Sequence, residues 1–288
     1  MTRLPVTKTP KPYVGGAFIR SESGRVFAAS DARGAFFANI PQCSRKDLRN
    51  AVEAAAKAGP GWARRTPYNR GQILYRLGEM LEARSAEMAA MLVRFGAGRA
   101  AASREVAATV DRLVHYAGWA DKYEQVLGGV NPVASPHFNF TVTEPMGVVG
   151  VIAPDEPALL GLVTLLAPVI VSGNTVVALA SEARPYPAVL LGEMLATSDL
   201  PGGVVNLLTG FRRELLPTFA THAHLRAISA VAGAEERRAL RLGAAESIKR
   251  VRFTEGGSAR VWLSAAAQGV DAIRDFVEFK TVWHPVGS

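Results

Sequence analysis

The chain has 288 residues, 49% of them hydrophobic, with one cysteine and a formal net charge of +8. That length and apolar content bury a substantial core in one large domain, or in one with small appendages, and the single cysteine excludes a disulfide within the chain and fits a reducing cytoplasm. The most apolar stretch, Ala158 to Val171, is too short to span a bilayer and contains Pro168, so no membrane role is expected; the basic excess is scattered beside acids, as in Arg104-Glu105 and Glu235-Glu236-Arg237-Arg238, which excludes a basic block for nucleic acid.

In chain order, Met1 to Pro12 is polar and proline-rich and reads as a flexible start rather than a secretory leader. Tyr13 to Phe18 is a short strand and turn, and Phe36 to Ile40 a second short strand that Pro41 ends. Cys43 then precedes Ser44-Arg45-Lys46-Asp47, which has the serine-to-acid spacing of a helix amino-terminal cap. Leu48, Val52, Ala55 and Ala56 follow at helical spacing, and the helix is expected to stop before Gly59-Pro60-Gly61. Tyr68 to Ala83 and Ala86 to Phe95 read as amphipathic helices, and Ser103 to Tyr123 as a longer one after Gly96 and Gly98. Phe138 to Thr143 alternates as a strand does, and Ala158 to Val171 reads as a buried helix. His222 and His224 stand just before an Ala227-Ile228-Ser229 strand; two imidazoles without a third ligand nearby give no metal site. Arg260 to Ser264 reads as a strand end, Val270 to Arg274 as a brief helix, and Phe276 to Trp283 alternates with the period of a strand.

Three runs are more specific than any of these. They are Thr143-Glu144-Pro145-Met146-Gly147-Val148-Val149-Gly150-Val151-Ile152-Ala153-Pro154, then Ser172-Gly173-Asn174-Thr175-Val176-Val177, then Pro201-Gly202-Gly203-Val204-Val205-Asn206-Leu207-Leu208-Thr209-Gly210. Together they resemble the aldehyde dehydrogenase superfamily, from about Tyr13 to Trp283. The resemblance implies an α/β fold: a Rossmann-like nucleotide-binding domain of aldehyde dehydrogenase type, with a helical amino-terminal region and oligomerisation strands. It divides the chain into a flexible start (1–12), a nucleotide-binding domain (13–264) that includes a bridging hairpin near 138–145, and an oligomerisation arm (265–288).

The positions that carry chemistry in the family are altered. Where relatives place W-N-F-P after the proline, with an asparagine that holds an oxyanion, this chain has Pro154-Asp155-Glu156-Pro157, and an ionised carboxylate opposes developing negative charge. The family's K-x-x-E, whose lysine binds the adenosine ribose, is here Leu179-Ala180-Ser181-Glu182. The pyrophosphate turn G-S-T-x-x-G corresponds to Ala232-Gly233-Ala234-Glu235-Glu236-Arg237, without the serine. The general base of E-L-G-G-K is replaced by Thr254, with Glu255 one position late and so on the opposite face of a strand. After Gly257, where relatives enter a catalytic domain bearing a nucleophilic cysteine, the link to the terminal arm is short. Cys43 lies elsewhere and reads as an apolar filler.

No catalytic residue is therefore expected. Pro154, Glu182 and Gly233 are the remaining positions able to line a cofactor cleft, so that no cofactor is expected, with weak NAD or NADP binding as the alternative. The resemblance implies a non-catalytic homologue that assembles with itself or with a full-length aldehyde dehydrogenase as an assembly or regulatory partner. Two other readings stay open: an NAD(P)-dependent oxidoreductase completed by a partner's residues, and a nucleotide sensor.

Overall fold

A computed structural model describes residues 6 and 8–287; residues 1–5 and 7 of the expected flexible start lie outside the described residues. Pro10 and Pro12 are buried, and Lys8 Nζ lies 2.7 Å from a Glu193 carboxylate oxygen. Strands β1 (Tyr13–Val14) and β2 (Ala17–Phe18) form the expected hairpin. Its turn runs through Gly15 and Gly16 at φ of +63° and +86°, and a Cβ on Gly16 would lie 2.7 Å from the Cα of Gly202, so this crossing requires glycine. Strands β3 (Val26–Ser30) and β4 (Phe36–Pro41) pair antiparallel; only β4 was legible, because Val26-Phe27-Ala28-Ala29-Ser30 lacks alternation.

Helix α1 (Arg45–Ala63) starts at the expected cap: Ser44 Oγ accepts the amides of Lys46 and Asp47, and Asp47 accepts the Ser44 amide at 2.7 Å. It does not stop before Gly59 but runs through Pro60 to Ala63. The cost of a proline inside a helix is offset by anchoring of the last turn, where the buried Trp62 donates its indole N–H to Ile170 O at 2.8 Å. Helices α2 (Pro67–Ala83) and α3 (Ser85–Arg94) follow. The single long helix expected over Ser103 to Tyr123 is instead α4 (Arg99–Trp119), which begins directly after Gly98, and a separate α5 (Tyr123–Leu127).

Strands β5 (Gly129–Asn131) and β6 (His137–Pro145) lead into the alternating part of the chain. This comprises β7 (Val148–Ile152), α6 (Ala158–Val171), β8 (Thr175–Leu179), α7 (Tyr186–Leu195), β9 (Val205–Leu208), α8 (Arg212–Thr221), β10 (Leu225–Ala230), α9 (Ala234–Ala245) and β11 (Arg250–Phe253). These strands are parallel, in the order β11-β10-β7-β8-β9, and the sheet continues antiparallel into β1 and β2. Successive side chains serve opposite faces. Val149, Val151, Val176 and Ala178 join the core beneath α2, α4, α6 and α7, whereas Val148, Ile152, Val177 and Leu179 join a second core with α1, α8 and α9. Strands buried on both faces read as nearly continuous apolar runs, as these do.

The tail corrects one expectation. Arg260 to Ser264 is not a strand end: α10 (Ala259–Leu263) forms there, because the sheet strand has already ended at Phe253 and the buried Trp262 docks the segment as a helix. A 3-10 turn (Ala265–Ala267) and α11 (Val270–Arg274) follow. Strand β12 (Val277–Pro285) then pairs antiparallel with the whole of β6, in a separate three-stranded sheet ordered β12-β6-β5.

Candidate functional site

The order of the parallel strands reverses at β7, with β8 and β9 on one side and β10 and β11 on the other. In open α/β sheets, ligands bind in the crevice beyond the strand carboxyl ends at such a switch point. Here the turns that leave β7, β8, β9 and β10 carry Ala153 to Pro157, Ala180 to Pro185, Thr209 to Phe211 and Val231 to Gly233.

One residue that the sequence reading did not single out joins these turns. Arg212 opens α8, and its backbone amide donates to Glu182 Oε2 at 2.9 Å. Its guanidinium crosses the crevice: Nη2 donates to Ala153 O, and Nη1 to Val231 O at 3.3 Å and to Glu236 Oε2 at 3.4 Å. The side chain is 15% exposed, so the bridge is largely sequestered from water. The three expected cofactor-lining positions therefore meet around it. Pro154 follows Ala153 and packs its ring on Gly161, Glu182 holds the Arg212 amide, and Gly233 caps α9.

A second pattern involves glutamates. The first-turn amides of α6, Leu159 and Leu160, donate to Glu105 Oε1 at 2.9 and 3.2 Å. Burial pushes the Glu105 carboxyl above the usual range, against the lowering effect of those two amides. The head of α8 is held by Glu182, and the cap amide of α9, Gly233, donates to Glu236 Oε2 at 3.0 Å. Amides at a helix amino terminus form a ready anion site. In this chain three of the four helices that begin at the crevice, α6, α8 and α9, offer amides to internal carboxylates.

Asp155 and Glu156 have structural partners. Asp155 Oδ1 accepts from Ser181 Oγ at 2.9 Å and from the amides of Glu182 and Ala183 at 3.0 and 3.2 Å, which fixes the turn after β8. Glu156 pairs with Arg184 at 3.2 Å on the surface. Glu255 forms a two-pronged pair with Arg237, at 2.7 and 2.9 Å, and that contact holds its carboxyl below the usual range. Cys43 is fully buried; burial pushes its thiol up to about 12. His222 Nδ1 accepts the amide of His224 at 3.3 Å. Among the described residues no three His, Cys, Asp or Glu side chains converge as a metal set.

The sequence of residues 18–283 matches the Aldehyde dehydrogenase family. The chain belongs to that family. A putative aldehyde dehydrogenase of Bacillus subtilis, DhaS, is 29% identical over 255 residues, covering 86% of this chain and 51% of that protein. Retinal dehydrogenase 2 of Gallus gallus is 33% identical over 258 residues, covering 87% and 49%. Among solved structures, HpcC from Thermus thermophilus superposes with a TM-score of 0.83 at 28% identity, covering 87% of this chain and 48% of that one. The NAD+ complex of a Bacillus cereus aldehyde dehydrogenase gives 0.81 at 25%, covering 87% and 51%. The chain thus spans about half the length of the curated relatives it matches.

One structural neighbour is an NAD+ complex, and in this chain several polar groups of the crevice are engaged by the chain itself. A pyrophosphate would meet Glu236 on the Gly233 amide, and the ribose-side acid, Glu182, is already engaged. The crevice between β7 and β10 is spanned by Arg212. Two of the residues missed from sequence carried a usable signal. Glu236 stands at capping-box spacing from Gly233, and Arg212-Arg213 places cations at the positive end of a helix, against the macrodipole, which marks a tertiary role. Glu105, distant in sequence and on α4, carried none.

Proposed function

We propose that this aldehyde dehydrogenase homologue is non-catalytic and holds no NAD or NADP beyond weak affinity. It acts in a reducing cytoplasm as an assembly or regulatory partner of a full-length aldehyde dehydrogenase, or of a second copy of itself. The observation that carries this reading is the crevice, where Arg212 and the three glutamates at the heads of α6, α8 and α9 take up the groups a dinucleotide would need. Thr254 and the paired Glu255, just beyond the end of β11, leave no unpaired carboxylate at that motif to activate water.

The assembly half of the proposal is supported by β12. It lies at the edge of its sheet, bonded to β6 on one side only, and carries Phe279 and Trp283 at 47% and 57% exposure. An exposed strand edge with apolar side chains is a template for another strand. Co-expression with a full-length aldehyde dehydrogenase from the same cell, followed by light scattering of the purified material, tests the reading. A complex of fixed stoichiometry, lost when Phe279 and Trp283 are replaced by lysine, is expected. A monomer at every concentration, alone or mixed, would sink it, as would aldehyde oxidation by the isolated chain.

A further inference from the structure

A cavity of about 370 Å³ opens at the amino ends of the parallel strands, the end opposite the crevice. The last two turns of α1, the lead into β7 and the turns before β8 and β10 enclose it. Its walls are apolar, chiefly Ala56, Pro60, Ala63, Pro145, Met146 and Val148. The polar atoms beside them are used internally: the Gly147 amide donates to Asn174 Oδ1 at 2.8 Å, Gly147 O accepts the Thr175 amide at 3.1 Å, and Thr175 Oγ1 donates to Ala55 O at 3.2 Å. Two exposed side chains, His224 and Arg226, complete the lining, and Arg226 forms no salt bridge among the described residues.

Positive charge accumulates at this opening. Strands β10 and β11 run parallel with Ala227 beside Arg250, so one step earlier Arg226 stands beside Lys249, and like charges on neighbouring strands repel. Lys249 is 8% exposed; its ammonium donates to Ser247 Oγ and meets no carboxylate within salt-bridge distance among the described residues. Burial lowers its pKa, Glu246 opposes that and Arg226 adds to it. Burial, His224 and Lys249 likewise lower His222, against Glu53, which itself lies 3.9 Å from Arg49. The carbonyl ends of α8 and α9 offset part of the charge, but a helix end carries only about half an elementary charge. The backbone is also bent to seat Lys249. Ile248 precedes it at φ +53°, a left-handed conformation that a β-branched residue rarely adopts, and its side chain is 94% exposed, so packing does not hold the turn. The turn places the Lys249 amide on Ala244 O at 3.0 Å, with Ile248 where glycine is usual. Strain of this kind gathers at ligand sites.

We propose that this cavity binds a phosphate monoester with a short apolar body, its phosphate on Arg226 and His224 with Lys249 behind them, and its body against α1 and Met146. A phosphate carries about −1.5 to −2 charges near neutral pH, which matches two fixed cations without counterions, and a guanidinium holds phosphate oxygens in pairs. The apolar walls select against a second charged or sugar moiety, whose desolvation would go uncompensated. The proposal is independent of the reading of the crevice, because it lies at the other end of the strands and uses none of the residues around Arg212.

Titration of the full chain with phenyl phosphate at constant pH tests it, with the ring proton signals of His224, assigned through His224→Gln, as the NMR readout. A saturable shift with a Kd of ~0.5 mM is expected, within the efficiency ceiling for so few atoms. Phenylacetate, with one charge, should bind at least about five-fold more weakly, and inorganic phosphate, with no body to bury, at least about ten-fold more weakly. Arg226→Gln should weaken phenyl phosphate by about ten-fold or more through loss of a charged hydrogen-bond donor, and Arg226 is exposed, so this variant keeps its fold. Lys249→Gln should weaken it by at least about three-fold. Ala56→Phe, which fills the cavity from α1, should abolish binding of the body and leave phenyl phosphate no tighter than inorganic phosphate. A shift that stays linear to about 20 mM, phenylacetate or inorganic phosphate binding as tightly as phenyl phosphate, or an unchanged Kd in Arg226→Gln or Ala56→Phe overturns the proposal.

Discussion

Replacement of Arg212 by alanine isolates the contribution of the crevice bridge. The guanidinium supplies donors to Ala153 O and Val231 O, and its contact with Glu236 at 3.4 Å is long. A hydrogen bond from a charged group is worth about 1.5–3 kcal/mol. The side chain is 15% exposed, and water entering the vacated space would rehydrate the two carbonyls, so the lower end applies to each bond and the Glu236 contact adds little. The net loss is then about 3 kcal/mol, dominated by the two carbonyls. For a chain of this size that corresponds to a fall in Tm of ~4–6 °C. The assay is urea denaturation of Arg212→Ala beside Arg213→Ala, whose side chain is exposed over Phe211. The midpoint should move for the first variant with little change in slope, and the second should stay within about 0.5 kcal/mol, as for ordinary surface substitutions. If Arg212→Ala costs no more than Arg213→Ala, the bridge is not a stabilising element and the reasoning fails.

Further expectations concern buried ionisable groups. With the Cys43 thiol pushed up to about 12, only about one molecule in ten thousand is thiolate at pH 8. Iodoacetamide should thus label the native protein far more slowly than the urea-unfolded chain, and comparable rates would show the thiol to be accessible. Glu105 has a folded-state pKa raised by burial, so its protonated form contributes stability that is fully present below the unfolded value of about 4.3. That contribution is lost as pH rises through the raised value. Glu105→Gln should therefore gain on the wild type as pH increases from about 4.3, and parallel stability curves for the two proteins would contradict this assignment. At fixed pH, Glu105→Ala leaves the Leu159 and Leu160 amides unpaired and should cost roughly 1–3 kcal/mol, measured by denaturation.

Much of the architecture was legible because it rests on local signals. The Ser44–Asp47 box fixed the start of α1, the apolar run Ala158 to Val171 gave α6, and the alternation in Phe276 to Trp283 gave β12. The failures are tertiary. Helix α1 passes through Pro60 because Trp62 is anchored on Ile170, and Arg260 to Leu263 is helical because Trp262 docks and Arg112 grips its carbonyl. At the crevice, sequence indicated which family groups had been replaced around Pro154, Glu182 and Gly233, but not what replaced them. Whether Glu105 reaches the head of α6 is decided by how α4 packs across it, at a separation of 54 residues. Likewise Asp155, which reads as an acid beside a reactive centre, is an acceptor for its neighbouring turn.

In the proposed reading, Arg212, Glu105, Glu182 and Glu236 engage the polar groups of the crevice beyond β7 and β10 and leave few for a dinucleotide. Isothermal calorimetry of the isolated chain with NAD+ tests it most directly. No saturable heat up to about 5 mM ligand is predicted, whereas a Kd below about 100 μM, worth more than ~5 kcal/mol of binding free energy, would contradict it.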